Sequence, residues 1–434
     1  MDTLISNVTI VTMNEKMDVL FGAYLGIEDG KISSISKSAP AGQPQTIIDG
    51  TGMVAMPGLV NCHTHLATAA LRNFCDELNA HDTLETLLQK EAKMDSRAAK
   101  AAAKLAIAEC LRFGITSVSD LYYYPNATAE AVAESGIKGN LSLSSYRFID
   151  QNEEFDFDTD EQCQELVKVT EKWHGHDNRR IKIDAGIHAE YTSNYKLWEA
   201  LAGYAAEQGL GMQLHLAQSR EEVDSCLDRT GMGPGELLNC HRLFNVPATA
   251  AGCSYLEEME RTMLGNKKAT AVALPLEALR TGAGLTPITD CVKAGMNVAL
   301  GTGGATDCGN LDMFEVIRAA ALSTKSTAMP LPSAAALMMA TTCGAQAQGR
   351  AKECGMIKVG MDADLCLVDF SAPHLIPCHN VMNGLVYSAK GGDVAMTMVR
   401  GNILYQNGRF PTIDLKEVVE ELTSYALPRL FDDK

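Results

Sequence analysis

Between Met56 and Gly301, apolar runs of strand length alternate with helical stretches, and this alternation limits the fold more than any other feature of the sequence. The first run leads through Leu59 and Val60 to His63. Those that follow cover residues 115–120, 140–145, 181–188, 211–216, 248–255, 270–275 and 297–301. The segments between them carry helix signals. Residues 96–113 are Ala-rich with apolar residues at helical spacing and stop at Gly114, and residues 196–208 are closed by Gly209. Eight strand–helix units in series predict an α/β fold, a (β/α)8 barrel of the TIM type.

The two ends of the chain read differently. Residues 4–13 alternate apolar and polar, and residues 23–35 hold a Glu28-Asp29-Gly30 turn between two strand-like runs, a hairpin signal. Short strands return at 364–369 and 394–404, where Gly401-Asn402 is a turn. The expected organisation is a small β-sandwich domain built from both ends, residues 1–56 and 365–434, around a barrel at 57–364.

Composition narrows the partners. The 434 residues carry a formal net charge of −17, which repels a phosphate backbone and argues against nucleic acid. No stretch reaches the roughly 18 apolar residues of a membrane span. The N-terminus lacks the basic start and apolar run of a secretory segment. The thirteen cysteines include no CxxC pair and read as small core residues in a reducing compartment. A soluble, cytoplasmic protein is expected.

His63 and His65 are two apart on a strand, so their side chains share a face. They lie at the C-terminal end of that strand, which in a barrel is the catalytic mouth. His215 ends the fifth strand. Three imidazoles converging there could hold one divalent metal, zinc or iron, with an open position, or could be polar groups at strand ends. His188 ends the fourth strand, Glu190 follows by two, and Arg147 ends the third. Two roles are open to each: a contact at the mouth, with His188 and Arg147 touching substrate and Glu190 serving as an acid or base, or a structural polar group at the rim. The other six histidines, at 81, 174, 176, 241, 374 and 379, fall in helical or loop segments and read as surface residues.

The run from Met56 to Leu66, MPGLVNCHTHL, resembles the first-strand metal motif of the amidohydrolase superfamily. The similar branch contains the triazine chlorohydrolases and the methylthioadenosine/S-adenosylhomocysteine and nucleobase deaminases. The likeness continues through FGITSVSD at 113–120, IHAEYT at 187–192, LGTGGA at 300–305, NLDMF at 310–314, ATTCGA at 340–345 and GMDADL at 360–365. It implies a metal at His63, His65 and His215 that activates water for attack on a ring carbon bearing an amino or halide group. It also implies a small heterocyclic substrate and a homo-oligomer.

The chain departs from that pattern where the family's chemistry sits. The fifth-strand motif, normally His-x-x-Glu, ends here in Gln218, an amide that carries no proton at neutral pH. Gly252 stands where the sixth-strand motif normally has a His, and Gly303 where the eighth has an Asp that is both ligand and base. After Pro275 the expected Asn is replaced by the sequence Leu276-Glu277-Ala278. Asp307, beyond the eighth strand, reads as a turn or cap residue. Losing one general acid or base costs about 10² to 10⁴ in rate, so standard deamination is in doubt. The alternative is a catalytically silent relative that binds a heterocycle or pairs with an active homologue. Restoring Glu at 218, His at 252 and Asp at 303 together is expected to raise metal affinity.

Overall fold

The computed structural model describes the chain except residues 41, 78–79, 148–153 and 433–434 and the side chains of 80–85. Five strands come first: β1 (Thr3–Val11), β2 (Val19–Glu28), β3 (Lys31–Ser36), β4 (Thr46–Asp49) and β5 (Met53–Pro57). Nine follow: β6 (Leu59–His65), β7 (Ile115–Tyr122), β8 (Lys138–Leu143), β9 (Ile181–Gly186), β10 (Met212–Leu216), β11 (Ala248–Gly252), β12 (Thr270–Ala273), β13 (Asn297–Leu300) and β14 (Gly303–Gly304). The last three are β15 (Leu365–Asp369), β16 (Val394–Val399) and β17 (Asn402–Gln406).

Strands β6 to β14 form one parallel sheet in chain order, and β14 closes it by pairing back onto β6. Because β13 and β14 are the two halves of the eighth strand, the result is the TIM-type barrel that the alternation predicts. Strands covered by helices outside and by one another inside bury both faces. Every residue of β7 is accordingly buried, Thr116, Ser117, Ser119 and Asp120 included. The helix Ser96–Arg112 shows how the outer layer forms: Asp95 caps it by accepting the Ala98 N–H at 2.9 Å, and it buries Ala98, Ala102, Ala106 and Ile107.

Polar side chains inside the barrel satisfy one another below the mouth. Asn61 Nδ2 donates to Thr302 Oγ1 at 2.7 Å, Gln348 Nε2 donates to Ser119 Oγ at 3.0 Å, and Ser117 Oγ donates to Gln348 Oε1 at 2.5 Å. Under them lies the wholly buried Arg350, whose guanidinium donates to the carbonyls of Arg179 and Arg180 at 2.8 and 2.9 Å. This hydrogen-bonded floor leaves the histidines as the upper layer of the barrel interior.

The strands of the two chain ends join in a second, mixed sheet, ordered β17-β16-β15-β5-β1-β2-β3 with β4 on β1. It has its own core, including Ile5, Ile10, Leu25, Ile27, Leu365 and Met396. β2 and β3 are the antiparallel hairpin expected around Asp29-Gly30. Lys138, at the start of β8 and fully buried, ties the two units together through Asp362 at 2.8 Å and Asp364 at 2.5 Å. Among the described residues no helix is long and apolar enough to cross a membrane.

A histidine cluster at the barrel mouth

The two-residue repeat of an extended strand turns His63 and His65 to the same side of β6. They meet His215 of β10, and one ring nitrogen from each residue lies within 4.8 Å of the others. His63 and His215 are buried, and His65 is half-buried. His65 Nδ1 is 2.7 Å from the Leu121 carbonyl, and His215 Nδ1 is 2.8 Å from the His188 carbonyl. A carbonyl only accepts, so in both rings Nδ1 carries the hydrogen and Nε2 offers a lone pair. The Nε2 atoms of His63 and His215 stand 3.1 Å apart, close to the spacing of about 3.3 Å between two nitrogens on a tetrahedral zinc. Burial, then the neighbouring imidazoles, holds His63 and His215 well below the usual histidine range, in the neutral form that ligates metals. The donor set therefore fits one divalent metal.

His188 lies beside this cluster, its ring centroid 4.8 Å from that of His215. Burial depresses it to about 4, and its buried Nδ1 meets no protein partner. The rings of Tyr146 and Tyr191 flank it at 5.7 and 6.1 Å.

Two other expected positions point elsewhere. Parity along the fourth strand, which would put Glu190 on the face of His188, does not reach it, because ladder hydrogen bonds continue past Gly186 only to His188 and a turn follows. Glu190 starts the short 3-10 turn Glu190–Thr192 and is fully buried, with both carboxylate oxygens 2.8 Å from Arg229 Nη2. Arg147 directs its guanidinium to Asp160, the residue that caps the helix Glu161–Trp173. A structural role at the rim accounts for that contact. Asp307 is the cap residue expected, its Oδ2 accepting the Gly304 N–H at 2.7 Å. Of the six histidines assigned to the surface, His241 pairs with Glu199 at 2.9 Å and His374 with Asp393 at 2.9 Å, away from the cluster. The side chain of His81 lies outside the described residues.

Acidic groups that the motif comparison did not single out approach the mouth. Glu277, in the helix Pro275–Thr281 that follows β12, accepts a hydrogen bond from Gln218 Nε2 at 3.2 Å. Burial, then the charge of Asp307, raises it well above the usual carboxylate range. Gln218 is held from behind by Glu222, whose two oxygens accept the N–H groups of Ala217 and Gln218 at 2.7 and 2.8 Å; burial pushes Glu222 up to about 7. Glu91 accepts the Tyr122 hydroxyl at 2.7 Å, and burial raises it too. The signal for Glu277 was present as the sequence Pro275-Leu276-Glu277: a carboxylate two residues beyond a proline that starts a helix at a barrel strand end.

A parallel eight-stranded barrel with histidines gathered above β6 and β10 is the architecture of a metal-dependent hydrolase scaffold. The chain belongs to the amidohydrolase family, whose model matches residues 54–404. It is 35% identical over 428 residues to a 5-methylthioadenosine/S-adenosylhomocysteine deaminase from Acetivibrio thermocellus, covering 96% of this chain and 97% of that one. It is 34% identical over 429 residues to a 5'-deoxyadenosine deaminase from Methanosarcina acetivorans, covering 98% of each. Among solved structures, an adenosine deaminase from Xanthomonas campestris with bound zinc superposes with a TM-score of 0.91 at 26% identity, covering 98% of this chain and 97% of that one.

Proposed function

We propose that this protein is a metal-dependent hydrolase that cleaves an exocyclic C–N or C–halide bond on a nitrogen heterocycle, with an acid–base apparatus different from the family's usual one. The observation that carries the reading is the convergence of His63, His65 and His215, two of them fixed by carbonyl partners so that Nε2 faces the others. These residues would hold one divalent metal, zinc or iron, which supplies Lewis acidity for the activation of water. His188, buried and unpartnered at Nδ1 next to the cluster, is placed to hydrogen-bond the ring. The floor of Asn61, Thr302 and Gln348 closes the barrel below, so substrate enters from the mouth. The deaminases to which the chain is similar favour a 5'-substituted adenosine as the first substrate to try.

A second reading, a heterocycle-binding protein without turnover, is favoured by one observation. Among the described residues no carboxylate completes the three-histidine group, and Gln218 cannot shuttle a proton. Metal analysis and ammonia release decide between them. Stoichiometric zinc or iron, lost on His63→Ala, together with ammonia release from 5'-deoxyadenosine or methylthioadenosine supports the hydrolase. Metal-free protein, or metal-loaded protein that binds these nucleosides and releases no ammonia, supports the silent binder.

A further inference from the structure

The departures at 218, 252, 277 and 303 form one structural unit. Gly252 and Gly303 hold positive φ angles of +96° and +69°. A Cβ on Gly252 would overlap Gln218 Cγ, and a Cβ on Gly303 would overlap Glu277 Oε2. The side chains of Gln218 and Glu277 thus fill the volume that the two glycines leave, and they hydrogen-bond to each other there at 3.2 Å. Gly303 pairs with Thr64, the residue between His63 and His65, so the Glu277 carboxyl sits at the histidine end of the barrel. The space an eighth-strand aspartate would take is occupied by a carboxyl arriving from the helix after β12.

We propose that Glu277 is the proton carrier of this site and that Gln218 aims it. The inference rests on the hydrolase reading above. Burial favours the neutral carboxyl, and in the proposed cycle its proton passes to a ring nitrogen of the heterocycle as the oxygen of water bonds to the ring carbon. The Glu277 carboxylate takes the first proton of that water and gives it to the exocyclic nitrogen. The C–N bond then breaks, ammonia leaves, and the remaining hydroxyl proton returns to Glu277. One water is consumed, the ring keeps a carbonyl and an N–H, and the acid is restored. Gln218 serves by position, since its amide donates to Oε1 and leaves Oε2 to face Gly303.

The test uses the full-length, zinc-loaded protein with 5'-deoxyadenosine as probe. Glu277→Gln is expected to keep zinc at the wild-type stoichiometry and KM within about threefold, while kcat falls about 100-fold or more. Glu277→Asp is expected to recover part of that loss. An infrared difference spectrum of wild type minus Glu277→Gln should contain the C=O stretch of a protonated carboxyl at neutral pH. A kcat for Glu277→Gln within about threefold of wild type, loss of zinc in that variant, or absence of the carboxyl band overturns the proposal and leaves the hydrolase reading standing. Zinc-loaded wild type that releases no ammonia overturns the hydrolase reading itself and this proposal with it.

Discussion

Gln218 Nε2 donates to Glu277 Oε1 across 3.2 Å, and the two side chains stand where residues larger than glycine at 252 and 303 would have to go. The family pattern therefore cannot be restored one position at a time. Gly252→His and Gly303→Asp each place an L side chain on a left-handed backbone, a strain of about 1–3 kcal/mol. In place of the raised metal affinity expected from the sequence, the combined Gln218→Glu, Gly252→His, Gly303→Asp variant is expected to melt below wild type and to bind zinc no more tightly, because Glu277 still fills the space at 303. Thermal unfolding and a zinc titration check this, and tighter zinc binding by a variant as stable as wild type refutes it.

Chelation should destabilise the protein as purified with metal. A ligand bound only to the folded state, at a free concentration 1,000 times its Kd, adds about 4 kcal/mol. Treatment with a strong chelator is expected to lower Tm by several degrees in wild type and to leave Tm unchanged in His215→Ala, which lacks one of the three converging imidazoles. Scanning calorimetry with and without chelator measures both.

Removing the partner of Glu190 should cost stability and nothing else. Arg229→Ala leaves a fully buried carboxylate without its cation, a loss of about 3 kcal/mol at most because Arg229 is itself half-exposed. Metal content is expected to stay at the wild-type value. Urea unfolding with metal analysis tests the pair, and lost metal in a folded Arg229→Ala variant would return Glu190 to the mouth.

The Lys138 junction sets an acid limit. Burial by itself raises Asp362, but Lys138, Lys31 and Arg400 hold it down at about 2. Its folded value lies below that of a free Asp, so its contribution is complete above about pH 4 and is lost as pH falls toward about 2. The urea midpoint of wild type should drop steeply across that window. Asp362→Asn should start lower at neutral pH and fall less steeply through the same window.

The barrel was legible because its strands and helices repeat eight times, and a repeated period outweighs error in any one element. The His63–His65 pair was legible for a related reason: strand geometry converts a spacing of two into a shared face. The same rule does not extend to Glu190, since it opens the turn Glu190–Thr192, where residue parity means nothing. Arg147 lies likewise beyond the end of β8 at Leu143. Glu277 was only partly legible: the sequence Pro275-Leu276-Glu277 marks a carboxylate after a strand end but not where it goes. Its position depends on two glycines on other strands, 25 and 26 residues away in sequence, making room for it and for Gln218. Volume exchanged between distant residues leaves no periodic trace.

The pairing of β15 with β5 has a consequence for how the chain is made. Leu365, Cys366 and Leu367 lie against Pro57, Met56 and Ala55, the segment just before the first two histidines. During synthesis β5 emerges about three hundred residues ahead of the strand that clamps it, at roughly 5–20 residues per second. One edge of β5, the strand just before the histidine-bearing β6, therefore waits many seconds for its partner. A stop codon just before Leu365 would release a chain with every barrel strand present while the second sheet still lacks β15, β16 and β17.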